Sequence, residues 1–186
     1  MKTRILLVLF LIGLFLPLTV AFSEEKKSEV FGATAVTTTG TGRRVSIKIY
    51  INSYTPDEEV VQLANLLKTQ GPDATLNALH KMDRGRLAPI RKTGTTVGFI
   101  RTRPTDNGGR HITMIMERPI GFVEFYRSVR SQDYPFGILE MDFDKDGKGS
   151  GTLAVAAKIS FADDNSVKVE NYGISPMRLM GLNALN

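Results

Sequence analysis

Cysteine is absent from this 186-residue chain. That excludes disulfide staples, thiol nucleophiles, thiolate metal sites and a lipid-modified cysteine at an export cleavage site. Histidine is nearly absent too, with two residues. His80 follows Leu76 by one helical turn and His111 adjoins Arg110, so the two are not spaced as a metal-ligand pair. The G-x-S-x-G pattern of a nucleophile elbow is missing, as are internal repeats and low-complexity segments. There is no concentrated basic stripe either. The formal net charge of +5 is spread along the chain, with small groups at Arg84/Arg86/Arg91/Lys92 and Arg101/Arg103. Nucleic-acid binding calls for a denser cationic footprint, so nucleic acid is not an expected partner.

Long apolar runs are confined to the N-terminus. Lys2 and Arg4 precede an apolar stretch from Ile5 to Leu18, and Ala21-Phe22-Ser23 places small residues at the −3 and −1 positions of a cleavage site. The stretch is short of the roughly 20 apolar residues that span a bilayer. Residues 1–23 therefore read as a cleaved signal peptide, and 24–186 as a single exported α+β domain, secreted or periplasmic. The alternative is a retained N-terminal anchor. Cleavage removes two basic residues and no acidic one, which leaves a weak basic excess and no stable membrane span. About 160 residues suffice to bury a core without disulfides.

A rhythm of two dominates the rest. Val45, Ile47, Ile49 and Ile51 alternate with Ser46, Lys48, Tyr50 and Asn52, which predicts a strand with one wet face. Further strands are expected from Val30 to Thr39, at about Thr96–Arg103 and Arg110–Glu117 joined by an Asn-Gly-Gly turn, at Leu139/Met141/Phe143, from Leu153 to Phe161, and at Val167/Val169. Residues 83–93 read as a basic loop, and 173–186 as a trailing end. Thr55, Pro56 and Glu58 suggest a capping box opening a helix, with Val60, Leu63, Ala64 and Leu67 inward. Gly71-Pro72 ends it and starts a second short helix. Phe122, Phe125, Tyr126 and Val129 recur at i, i+3, i+4 and i+7, one stripe of another short helix that would lie as a lid on the sheet.

The predicted fold is thus α+β: an antiparallel twisted sheet of about seven strands, as a curled sheet, half-barrel or two-layer sandwich, with an inserted αα-hairpin. Sided alternation favours antiparallel pairing, because buried parallel strands read as continuous apolar runs.

Three chemistries are readable. Asp142-x-Asp144-x-Asp146-Gly147 is the opening half of a calcium loop, but the twelfth position, where a bidentate glutamate belongs, is Leu153. A hairpin turn with no cofactor is the expectation, and weak Ca²⁺ binding at Asp142, Asp144 and Asp146 the alternative. The carboxylates Glu124, Asp133 and Glu140, with His111, supply the materials of a hydrolytic site without a motif to assemble them. Phe122, Phe125, Tyr126 and Tyr134 are the candidate binding residues for a small apolar ligand, a peptide or a protein partner.

At Arg118-Pro119-Ile120-x-Phe122, Arg130-Ser131-x-Asp133-Tyr134-Pro135-Phe136, Glu140 and Asp144-Lys145-Asp146-Gly147-Lys148-Gly149, the chain resembles a family of small exported bacterial proteins with no assigned activity. The similarity runs from about Tyr54 to Tyr172. It implies export of bacterial type and transfers no catalytic residue. A non-enzymatic exported binding module is the leading expectation; a hydrolytic enzyme using Asp133, Glu140 and His111, or a structural envelope-associated protein, are the alternatives.

Overall fold

The computed structural model describes residues 28–38, 40, 42–117, 134–161, 167–171 and 175–185. The signal segment, the Phe122/Phe125/Tyr126 stripe, Glu124 and Asp133 lie outside them.

Nine strands and one helix are found among the described residues: β1 (Glu29–Val36), β2 (Arg44–Ile51), α1 (Asp57–Leu79), β3 (Gly85–Pro89), β4 (Thr95–Pro104), β5 (Arg110–Glu117), β6 (Phe136–Phe143), β7 (Gly149–Phe161), β8 (Val167–Asn171) and β9 (Met177–Ala184). All pairings are antiparallel. The order β6-β5-β4-β3-β2-β1-β9-β7 closes on itself through β6–β7, and β8 adds to the far half of β7. The fold is therefore a closed eight-stranded antiparallel barrel, which corrects the expected α+β curled sheet, half-barrel or two-layer sandwich. Two strands that had read as loop and tail, β3 and β9, complete the ring.

The αα-hairpin is corrected as well. Gly71, at φ 82° and ψ −172°, leaves helical geometry before Pro72 as expected, but the two helical segments meet at this kink as α1 and do not form a paired hairpin. Thr75 repairs part of the break by donating its hydroxyl to the Gly71 carbonyl at 3.0 Å. The capping box does not form. Thr55 turns instead to β4, its N–H donating to the Ile100 carbonyl at 2.7 Å and its hydroxyl accepting the Ile100 N–H at 2.9 Å.

Eight strands enclose just enough room for side chains to fill. Phe31, Ile47, Ile49, Ile51, Leu87, Ile100, Ile112, Met114, Met116, Leu139 and Met141 point inward and are essentially inaccessible. This interior is a packed core, so a ligand hollow inside the sheet is not available.

One mouth of the barrel is plugged by charge. Glu29 and Arg110 begin β1 and β5 on the inward phase of their strands and meet across the opening, with Arg110 donating to both Glu29 oxygens. The guanidinium stands 5.7 Å from the Phe31 ring centre and 5.3 Å from that of Phe143, a cation over two aromatic faces. Tyr54 donates its hydroxyl to Glu29 at 2.6 Å. Burial, and then the Glu29 carboxylate, push the Tyr54 phenol well above its ordinary value of 10.0.

A raised folded-state value means that the unfolded chain ionises Tyr54 first. The stabilisation is complete below about pH 10 and is lost as pH rises beyond it. Urea titrations from pH 8 to 11 are expected to show stability falling more steeply in the native protein than in Tyr54→Phe. Parallel pH profiles would show that Tyr54 does not carry this titration.

Candidate functional site

The outer wall of the barrel is apolar where α1 lies on it. Several local features arrange this. In β4 a bulge between Val97 and Phe99 changes the alternation, so that Val97 and Ile100 both face inward while Phe99 faces out. In β6 Phe136 and Ile138 are outward yet buried, whereas Glu140 and Asp142 further along the same face are exposed. Small residues in β7, Ala154 and Ala157, let the wall come close to its cover. Gly98 does the same for the helix end: a Cβ there would stand 2.5 Å from the Leu79 carbonyl oxygen.

Polar contacts hold α1 at its ends, two ion pairs near its start and a histidine–carboxylate contact just past its end. Near its start, Arg84 donates to both Glu59 oxygens at 2.6 Å and to the Ser53 hydroxyl at 3.2 Å, and Arg101 pairs with Asp57. Just past its end, His80 Nε2 lies 2.9 Å from Glu117. The Arg84 and Glu59 side chains are 19% and 29% exposed, so this pair is the better shielded of the three.

Between the clamps, helix and wall do not fully meet. A hollow of about 140 Å³ is lined by Val60, Leu63, Ala64 and Leu67 on the helix and by Phe99, Ile115, Phe136, Ile159 and Phe161 on the wall, with Thr75 and Leu79 at one end. The helical contributors recur at i, i+3, i+4 and i+7, one face of the helix. Ile159 and Phe161 come from the part of β7 that runs past β6 and pairs with β8. Thr75 supplies the one polar side chain of this lining, and its hydroxyl is already bonded to Gly71.

Of the sequence-predicted site residues, Phe122, Phe125 and Tyr126 lie outside the described residues, and Tyr134, Asp142, Asp144 and Asp146 are placed elsewhere. Tyr134 donates its hydroxyl to Glu170 of β8 at 2.6 Å and is not among the residues lining the hollow. The three aspartates of the acidic loop take three different partners. Asp142 meets His111 Nδ1 at 2.6 Å, Asp146 takes Lys145 Nζ at 2.9 Å, and Asp144 accepts the N–H groups of Asp146 and Lys148 at 3.0 and 2.8 Å. With Gly147 at φ 79°, that is the geometry of a tight hairpin turn. Among the described residues no group of three or more histidine, aspartate or glutamate side chains is placed to hold a metal.

No family model, curated protein or solved structure matches the chain.

His111 and Glu140 do come together on one face, since β5 and β6 pair His111 with Asp142 and Thr113 with Glu140. His111 Nε2 lies 3.0 Å from the Thr113 hydroxyl, which completes an Asp142–His111–Thr113 chain. Sequence reasoning had not connected Thr113 or Asp142 to His111. The signal was available only as cross-strand register, which pairs residues about thirty apart in the chain.

Arg84→Met removes the clamp on the helix start and leaves Glu59 without its partner. A loss of about 1–3 kcal/mol is expected in chemical unfolding. Arg101→Ala, whose partner Asp57 is exposed, is expected to cost less than about 1 kcal/mol. Equal effects of the two would show that the shielded pair does not hold the helix.

Proposed function

We propose that the protein is an exported, non-enzymatic binding module that takes an apolar group into the hollow between α1 and the barrel wall. The observation that carries this reading is the lining itself, almost wholly aliphatic and aromatic, with its single hydroxyl already bonded. Such a place offers nothing to water and a favourable transfer to hydrocarbon. Its size sets the ligand class. A cavity of about 150 Å³ takes one benzene ring, so the occupant is a single aromatic ring or a short alkyl segment. It would be presented by a small molecule or by a side chain of a partner. Apolar selectivity without a polar anchor fits a binder of broad rather than stringent specificity.

A second reading, hydrolysis, is favoured by the Asp142–His111–Thr113 chain, which has the base and orienter of an activated hydroxyl. It is the lesser of the two. β5 is paired on both sides, so its backbone N–H groups are committed to the ladders and none is left as an oxyanion donor beside Thr113.

Titration with the single-ring probe toluene, followed by calorimetry, separates the two. Saturable binding by the native protein is expected, weakened at least tenfold in Ala64→Trp, where an indole fills the hollow, with the unfolding midpoint kept. Unchanged probe binding in that variant would overturn the groove as the site. Turnover of p-nitrophenyl acetate that disappears in His111→Ala and Thr113→Ala would establish the hydrolytic reading in its place.

A further inference from the structure

The side of the barrel away from α1 carries charge of one sign. On β9, β1, β2 and β3 the outward residues stand in cross-strand rows. Arg178 and Arg44 flank Val36; Met180 and Ser46 flank Thr34, with Ile90 joined to Ser46 through its N–H; Lys48 stands between Gly32 and Ala88; and Arg86 stands between Tyr50 and Thr96. The turn after β3 adds Arg91 and Lys92, both exposed. Arg44, Lys48, Arg86, Arg91, Lys92 and Arg178 form no ion pair among the described residues. Among the described residues of these four strands the one carboxylate is Glu29, and it is turned into the barrel mouth toward Arg110.

The opposite side is built differently. There both signs are mixed: Arg84, Arg101 and His111 each meet a carboxylate, and Arg103, Lys145, Lys148, Lys158 and Lys168 stand among Asp57, Glu117, Glu140, Asp142, Asp144, Asp146 and Glu170. Among the described residues the barrel is therefore one-signed on the face away from α1 and mixed on the other.

Two aliphatic side chains stand in the basic face. Ile90 is 53% exposed and Met180 is 54% exposed, both in the row with Thr34 and Ser46. Strands about 4.8 Å apart and a rise of about 3.3 Å per residue put Arg178, Arg44 and Lys48 within roughly 16 Å of one another and of these two residues. Cations interleaved with exposed aliphatic groups on a broad convex sheet match a surface that is anionic outside and hydrocarbon just beneath. A nucleic acid would call for a groove tracking its backbone and for aromatic stacking platforms.

We infer that the β9-β1-β2-β3 face docks on an anionic phospholipid bilayer, with Arg44, Lys48, Arg86 and Arg178 on headgroup phosphates and with Ile90 and Met180 entering the interface. Each cation at such a surface adds to affinity and loses its effect with salt. The hollow beneath α1 then faces away from the membrane and stays open to solution.

Flotation of the full protein with phosphatidylcholine vesicles, with or without phosphatidylglycerol, tests this. Binding is expected only with the anionic lipid, falling as salt rises. Arg44→Ala/Lys48→Ala/Arg178→Ala is expected to weaken it by at least about tenfold. Ile90→Ser/Met180→Ser is expected to weaken it at unchanged charge, while both variants keep the native unfolding midpoint and Ala64→Trp floats as the native protein does. Equal flotation on phosphatidylcholine alone, or an unaffected triple variant, would overturn the inference. Retention on heparin or duplex DNA as strong as on vesicles, with Ile90→Ser/Met180→Ser without effect, would overturn it too and mark the face as a general polyanion site.

Discussion

Ring closure is the constraint on which the rest depends. β6 pairs with β7 while β7 also pairs with β9, and β9 with β1, so eight strands form a cylinder without an exposed edge among themselves. In this cylinder the interior is taken up by buried side chains. Once Phe31, Ile49, Ile100, Met114 and Leu139 occupy it, nothing else enters. Ligand chemistry is thereby displaced to the outside, where shape depends on what is laid against the wall.

α1 provides that shape on one side. It is held by Arg84–Glu59 at one end and His80–Glu117 at the other, and approaches most closely where Gly98 lacks a side chain. The bulge at Phe99 and the two-sided burial of β6 supply the apolar floor. On the other side no helix is laid down among the described residues, and the wall presents arginine and lysine with two aliphatic neighbours. No helix of the described residues is long and apolar enough to cross a membrane.

Much of the barrel was legible in the chain because alternation reports one dry face directly. β2 and β5 follow their apolar rhythm, and the turns at Gly108 and Gly147 sit where the glycine patterns put them; in β7 the rhythm holds for Leu153 and Val155, but an irregularity opposite Phe136 and Ile138 sends Ala157, Ile159 and Phe161 to the outer wall. What was not legible was closure. β3 is five residues bounded by Gly85 and Pro89, too short for a period to show. β9 begins with Met177 and Leu179 inward, but Gly181, at φ 61°, shifts the phase so that Leu182 follows, and the alternation reads as broken. Without those two strands the sheet has free ends, and an open or layered form is the natural conclusion. The basic face was hidden for a related reason. Arg44, Arg86 and Arg178 are far apart in sequence, and cross-strand register alone makes them neighbours. The Gly71-Pro72 pattern reports the break between the two segments of α1, but not that Thr75 and Leu79 beyond it stay buried beside the same wall.

Hydrogen exchange followed residue by residue tests closure most directly, because an edge strand and a strand within a ring differ in the partners of their amide hydrogens. In a closed barrel the paired amides of β9, at Leu179 and Leu182, are expected to exchange as slowly as those of β5 at Ile112 and Met114. Amides of β3 and β9 that exchange within the dead time, while β5 stays protected, would mean that the ring is open and that the hollow and the basic face do not have the walls assigned to them.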